Sequence, residues 1–401
     1  MQGDANVYLS VRIGEGRSGI DVGPAIARID VHDEDRGTDK ATLVMDDHAG
    51  ISTDVIRRNA PVTITMGWES EHTVMFMGRV HRLGSYTRNG AVGRLQFEVH
   101  DLSELLNVRP RLANRPHEGT LRDILTQLAS EGGLTIGAVE IYPMPSWPDT
   151  HGRTLNQGRM TNWQLIQKVA SDYTSRAFVE VNQERQDDGS VGEPEAKLYF
   201  YSEDAMLAQD PLGKLTLCHG FGSLINFEMT QVGSGSRPSQ SATVVDPVTG
   251  QVCTESAENP AEEPEPAISG RALDSAVAGR GQATADRAEQ GLEVAQQAQP
   301  RADAEVPQER TATPSDCDLA RRLVRPEPTR ALGLNAKGLA MGSVFMRAKS
   351  SVEIDGHSSQ SSGVWYLRRV NHIIEQARAN SNEPDQELTV KTYRTRFEAT
   401  R

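Results

Sequence analysis

The stretch Ser351–Ile374, SVEIDGHSSQSSGVWYLRRVNHII, constrains the fold more than any other part of this 401-residue chain. Val352 and Ile354 alternate with Glu353 and Asp355 up to Gly356. After a serine-rich turn, Gly363 opens a second run that carries Val364, Trp365, Tyr366, Leu367, Val370, Ile373 and Ile374. Successive side chains of a strand point to opposite faces, and β-branched and aromatic residues pack well on a pleated surface. Two such runs around a turn cluster predict a hairpin. In its second strand Trp365 and Leu367 share one face, and Val364, Tyr366 and Arg368 the other. Trp365 is assigned to a β core.

Similar alternation fills residues 1–100. Val7, Leu9, Val11 and Ile13 alternate with polar or small residues, as do Ala27, Ile29 and Val31, and then Ala41, Leu43 and Met45. PVTITMGW (Pro61–Trp68) puts Val62, Ile64 and Met66 on one face. Gly78 and Gly84 punctuate two further strand pieces, and RLQFEVH (94–100) adds another. Short strands between turn signals predict a barrel or a sandwich. The acidic DVHDEDRGTDK segment reads as an exposed loop. The carboxylates at Asp33, Glu34 and Asp35, and at Asp46 and Asp47, read as solvated turns. A glycosidase would need two carboxylates at a fixed separation, one of them in an apolar pocket.

Residues 101–215 mix helix and strand. Leu102, Leu105 and Leu106 suggest a short helix. Thr120 is a cap for LRDILTQLASEGG, with Asp123 at the third helical position; Leu121, Ile124, Leu125 and Leu128 form the apolar face, and Gly132 and Gly133 end it. Thr161 caps a second helix whose Trp163, Leu165, Ile166 and Val169 face inward, and strands follow at Ala177–Val181 and Lys197–Ser202. The composition then shifts, with no Phe, Trp or Tyr from Glu228 to Val344. The stretch 254–315, rich in Ala, Glu, Gln, Pro, Arg and Ser, cannot bury enough apolar area to offset its ordering entropy. It reads as a disordered linker or as a helical arm on a neighbouring protein. GSGSR (233–237) lacks the Lys-Ser/Thr of a phosphate loop and reads as linker. Order resumes at CDLARRLVR (317–325), and ELTVKTYRTRFEA (387–399) gives a last strand.

The net charge of −13 argues against a general nucleic-acid surface, which needs clustered Lys and Arg. Cys218, Cys253 and Cys317 make no Cys-x-x-Cys pair, so a thiolate zinc site is not expected, and so sparse a set fits assembly in a reducing cytoplasm. No apolar run approaches the ~20 residues that span a bilayer. The opening MQGDANVYLSVRIG has neither the basic nor the apolar region of a secretory signal. The histidines are scattered with no His-Glu-x-x-His, and no metal, cofactor or catalytic site is expected. His372, beside Val370 and Ile373, reads as a structural histidine. Trp68, Trp163 and Trp365, with Tyr366, suit core or interface packing. Trp147, between prolines in MPSWPDT, reads as an exposed partner contact, since Trp is enriched at interface hot spots.

Three places together resemble the late-control-D-type hub proteins of phage tails and related injection machines. The first is the strand Ala41–Asp47, then Pro61–Trp68 ending Ile-Thr-Met-Gly-Trp, then Phe76-Met-Gly-Arg-Val80. The second is Thr161-Asn-Trp-Gln-Leu-Ile-Gln-Lys-Val-Ala170 followed by Ala177-Phe-Val-Glu-Val. The third is the C-terminal hairpin, whose second strand runs on through His372, with Tyr393–Phe397 after it. The resemblance covers 7–232 and 316–401; the low-aromatic insertion is a departure from it.

The resemblance implies a β-rich α+β fold: two similar β-barrel domains, an intervening α/β region and a low-complexity insertion. The expected divisions are a hub barrel at 1–100, the α/β region at 101–232, a strand and linker start at 233–253, the insertion at 254–315 and a second β domain at 316–401. It implies a baseplate hub without enzymatic activity, a homotrimeric ring joining the central spike to the tail tube of a contractile tail. Expected partners are the spike, the tube or its initiator, the tape measure and baseplate wedges, with no specific nucleic acid and no stable membrane insertion. A tail component that degrades cell wall or binds carbohydrate is the alternative.

Overall fold

The computed structural model describes residues 6–14, 19–47, 56–87, 89, 93–109, 115–140, 155–182, 192–217, 222–231, 240–245, 252–257, 334–356, 358, 361–380 and 387–401. Most of the described chain is strand. Residues 1–231, 327–357 and 361–401 belong to one compact unit.

Alternation in the first hundred residues produces β1 (Val7–Ile13), β2 (Ile20–Asp21), β3 (Ile26–Glu34), β4 (Lys40–Asp47), β5 (Pro61–Trp68), β6 (Glu71–Tyr86) and β7 (Gly93–Asp101). They pair antiparallel in the order β3-β4-β7-β6-β5-β1-β2. The inward set, including Val11, Ile29, Leu43, Ile64, Val80 and Phe97, meets in one core. Three expectations are corrected here. β6 is one strand rather than two pieces, and Gly78 lies within it at a place where a Cβ would run into the His100 carbonyl oxygen. The acidic segment is not an exposed loop: β3 runs to Glu34, and Asp33, Asp35 and Asp39 are buried. Asp46 and Asp47 lie in β4, not in a solvated turn, and Asp47 is buried.

The α/β region follows. β8 (Pro116–His117) pairs with β10 (Leu155–Asn156), while β9 (Thr135–Glu140), β11 (Ser175–Asn182) and β12 (Glu195–Ser202) form a sheet in the order β11-β12-β9. Helices α1 (Leu121–Glu131) and α2 (Asn162–Asp172) both begin with a reciprocal capping box, Thr120 with Asp123 and Thr161 with Gln164. Ile124 and Leu125 of α1 and Leu165 and Ile166 of α2 pack on Leu198 and Phe200 in a second core. The short α3 (Glu203–Leu207) leads out.

The remaining strands are β13 (Lys214–Thr216), β14 (Leu224–Gln231), β15 (Gln240–Val245), β16 (Val252–Ala257), β17 (Leu334–Met341), β18 (Ser351–Asp355), β19 (Gly363–Asn380) and β20 (Glu387–Thr400). The expected C-terminal hairpin is β18–β19, with Val352 opposite Trp365. Six of these strands pair in the order β14-β17-β20-β19-β18-β13 around a third core that contains Trp365, Leu367, Val370 and Phe397. β3 pairs with β19, Val31 opposite His372, so both halves share one continuous sheet.

The two halves repeat one topology. Numbering the main strands of each half from one to six in chain order (β1, β3–β7; then β13, β14, β17–β20), both sheets read two-three-six-five-four-one. The single deviation is at the end of the second half, where β13 and β18 run parallel while β1 and β5 run antiparallel.

A second compact unit, residues 232–326 with 358–360, contains the β15–β16 hairpin. Cys253 in β16 is disulfide-bonded, against the expectation that the sparse cysteines stay reduced. The insertion expected from 254 as linker or helical arm begins instead inside strand β16, which runs to Ala257; its remainder, GSGSR and CDLARRLVR fall outside the described residues.

Candidate functional site

The densest polar chemistry in the described residues is a buried charge cluster where the three cores approach one another. Lys349 precedes β18 with a positive φ of 66°, and its side chain is 2% exposed. Its Nζ donates to Asp33 Oδ1 at 2.6 Å and to Asp39 Oδ2 at 3.1 Å, and lies 3.2 Å from Glu180 Oε1. Asp33 and Asp39 come from the first half, Glu180 from β11 and Lys349 from the second half. Arg347 Nε sits 3.1 Å from Asp33 Oδ2, which also accepts the Ala348 N–H. Asp39 in turn donates its N–H to Asp101 Oδ2 at 3.0 Å.

Burial disfavours a buried charge, and neighbouring charges oppose or reinforce it. For Asp33, burial alone would raise the pKa, but Lys349 and Arg347 outweigh it and hold the carboxyl below its ordinary range. Asp39 is pushed well above that range by burial, reinforced by the Asp33 and Asp101 carboxylates. Burial lifts Asp101 to about 6 against its hydrogen bonds from Ser103. Burial would lower Lys349, but the surrounding carboxylates raise it well above its usual value, so it stays charged. Beside this cluster, Glu203 is fully buried and pairs with Arg176 and Arg36. Nothing here resembles a catalytic carboxylate pair, because the ammonium group occupies the space between the acids.

The residues singled out in the sequence are spread over the three cores. Trp68 packs against the first core and donates Nε1–H to the Gly342 carbonyl at 2.8 Å. Trp163 packs against the α/β core. Trp365 is fully buried, edge-on to Phe227 at 5.5 Å, and donates Nε1–H to the Ser361 carbonyl. Tyr366 is buried with its hydroxyl on Met206 Sδ. Trp147 lies outside the described residues.

His372 is completely buried, with Nδ1 2.8 Å from the Tyr393 hydroxyl and Nε2 2.9 Å from the Met346 carbonyl. Burial and then the Arg347 charge lower its pKa from 6.5 to about 4. The unfolded chain therefore binds the proton first as pH falls, and stability present above 6.5 is lost toward pH 4. Consequently the stability gap between wild type and His372→Gln, followed by urea denaturation, should narrow from pH 7 to about 5. A gap independent of pH contradicts the buried, neutral assignment.

On the other face of β3, a groove of about 750 Å³ crosses the seam between the two sheet halves. Two of its cations pair with carboxylates: Arg369 lies 3.1 Å from Glu34 and 3.5 Å from Glu398, and Lys337 lies 3.4 Å from Glu398.

No family model and no curated protein sequence matches the chain. Its fold is similar to that of a tail protein from Neisseria meningitidis MC58, with a TM-score of 0.62 at 11% identity, covering 99% of this chain and 97% of that one. It is also similar to the 43 kDa tail protein of prophage MuSo2 from Shewanella oneidensis, with a TM-score of 0.60 at 10% identity over 99% and 98% of the two chains. A chain of a lidless PdpA–VgrG complex aligns with a TM-score of 0.53 at 8% identity, covering 99% of this chain and 65% of that one. At these identities the likeness is one of fold.

Proposed function

We propose that the chain is the structural hub of a phage-type contractile tail baseplate: a homotrimeric ring that joins a central spike to the tail tube. The observation that carries this reading is the repeated strand order of the two halves on one sheet. A chain with two like halves that closes as a threefold ring presents six like units to the axis, which suits a junction between a threefold spike and a sixfold tube. Closed cyclic assembly is the usual arrangement of identical chains. Whole-chain likeness in fold to two tail proteins supports the same reading. In it, the two β cores and the α/β region act as the expected domains, and the residues 254–315 serve the assembly rather than the ring wall.

The reading is of a scaffold, not an enzyme, assembled in a host cytoplasm and carried in the tail. Its partners are its own copies, the spike, the tube or tube initiator, the tape measure and the baseplate wedges. Nucleic acid would pass without specific binding, since the chain carries a net charge of −13. Light scattering on the purified protein, alone and with its cognate spike, should give three times the 43.8 kDa chain mass in at least the complex. Monomer under both conditions rejects the ring.

A further inference from the structure

At the end of the first half, two histidines that are far apart in sequence stand face to face. His81 and His100 stack with ring centroids 4.0 Å apart and planes 9° apart. A register shift between Val80 and Arg82 brings them together: His81 is the extra residue of a β-bulge in β6, beside the stretch of β7 that carries His100. A bulge re-aims a side chain that regular pairing would send elsewhere. One carboxylate oxygen, Glu104 Oε1, lies 2.8 Å from His81 Nδ1 and 2.6 Å from His100 Nδ1, with the His100 contact in hydrogen-bond geometry. Glu104 stands in the short 3₁₀ turn Leu102–Leu106 that follows β7.

We propose that His81, His100 and Glu104 bind one divalent transition-metal ion of the zinc class. The ligand atoms all lie within 4.8 Å of one another. Zinc takes imidazole nitrogen at ~2.0–2.1 Å in the ring plane and carboxylate oxygen at ~2.0–2.2 Å, so binding requires both imidazoles to turn about χ2 out of their parallel stack and Glu104 to rotate, which their partial exposure allows. Two imidazoles and one carboxylate select zinc-like borderline ions over calcium or magnesium, which prefer all-oxygen sites. The arrangement also has the outer partner that metal-binding histidines use. His100 Nε2 lies 2.8 Å from Glu98 Oε1, so with an ion on Nδ1 this carboxylate is placed to accept the Nε2 proton. The side chains are 42% (His81), 21% (His100) and 27% (Glu104) exposed, which leaves an approach for the ion and room for water as a fourth ligand.

The other dense acidic group, Asp33, Asp39 and Glu180, makes the contrast clear. It has no histidine, and the Lys349 ammonium already fills its centre. The proposed ion would tie β6, β7 and the turn into the α/β region together, where the first half ends.

The test uses the full chain, stripped with chelator and titrated with ZnCl₂ in a calorimeter and by thermal melting. The expected result is one ion per chain with Kd below ~10 μM and a melting temperature raised by several degrees. His81→Gln and His100→Gln should each weaken binding more than tenfold. Glu98→Gln should weaken it by about 10–100-fold while keeping the stoichiometry. In the wild type, Co²⁺ at the same stoichiometry should give the intense visible d–d bands of a tetrahedral site, a readout that does not depend on any variant folding. Failure of the wild type to bind Zn²⁺ below ~100 μM, weak octahedral Co²⁺ bands, or unchanged affinity in folded His100→Gln overturns the proposal.

Discussion

Lys349→Met is expected to cost the protein about 3–5 kcal/mol, the effect of removing one partner from a buried ionic network. Methionine is one heavy atom shorter but keeps the apolar stem, so loss of packing is small. What remains is Asp33, Asp39 and Glu180 within a few ångströms of each other, with only Arg347 to balance Asp33. Such a loss is a large share of the ~5–15 kcal/mol that holds a typical folded domain together. The partners come from the first half, the α/β region and the second half, so the unit should lose cooperativity as a whole rather than fray at one end. Asp33→Asn/Lys349→Met should recover part of the loss, because the double variant removes a carboxylate along with the cation. Urea denaturation checks both. Lys349→Met within ~1 kcal/mol of wild type would mean that water reaches the cluster, and the junction would then carry little of the stability.

The β-rich class, the C-terminal hairpin and both helix caps were legible in the sequence because each is a local pattern. Period-two alternation in Val352–Asp355 and Gly363–Ile374 and the Thr-x-x-Asp and Thr-x-x-Gln boxes depend on residues a few positions apart. What was not legible depends on distant neighbours. DVHDEDRGTDK looked like a solvated loop because carboxylates are rarely buried unless paired, and the pairing cation lies some 310 residues further on at Lys349. The strand β9 was missed because TIGAVE is short and its pairing with β12 is non-local. The repeated strand order left no repeat in the residues, since a topology constrains which faces are apolar, not which apolar residues fill them. His81 and His100 follow no ligand spacing; a bulge, invisible in a single sequence, places them together. His372, read as structural from its apolar neighbours, is buried with both ring nitrogens in hydrogen-bond contact.

Trp365→Ala should give protein that is unfolded or fails to assemble, whereas Val364→Ala, one residue away, should be nearly silent. The difference lies in the pleat. Val364 is 46% exposed, and Trp365 is fully buried at the centre of the third core. Truncating a buried Trp costs ~3–5 kcal/mol through lost transfer energy and the cavity left behind. Here the loss also removes the edge-on contact with Phe227 and leaves the Ser361 carbonyl without its indole donor. A surface substitution such as Val364→Ala usually stays within ~0.5 kcal/mol. The damage should spread beyond the third core, because β19 carries Trp365 at one end and pairs with β3 of the first half further along. In the proposed ring, failure of one half removes alternate units of the six, so assembly with the spike should fail together with folding. Denaturation curves and light scattering on the two variants decide the matter. A Trp365→Ala protein that melts like wild type, assembles, and loses only binding to sugars would make Trp365 a ligand platform, and the hub reading would fall with the core assignment.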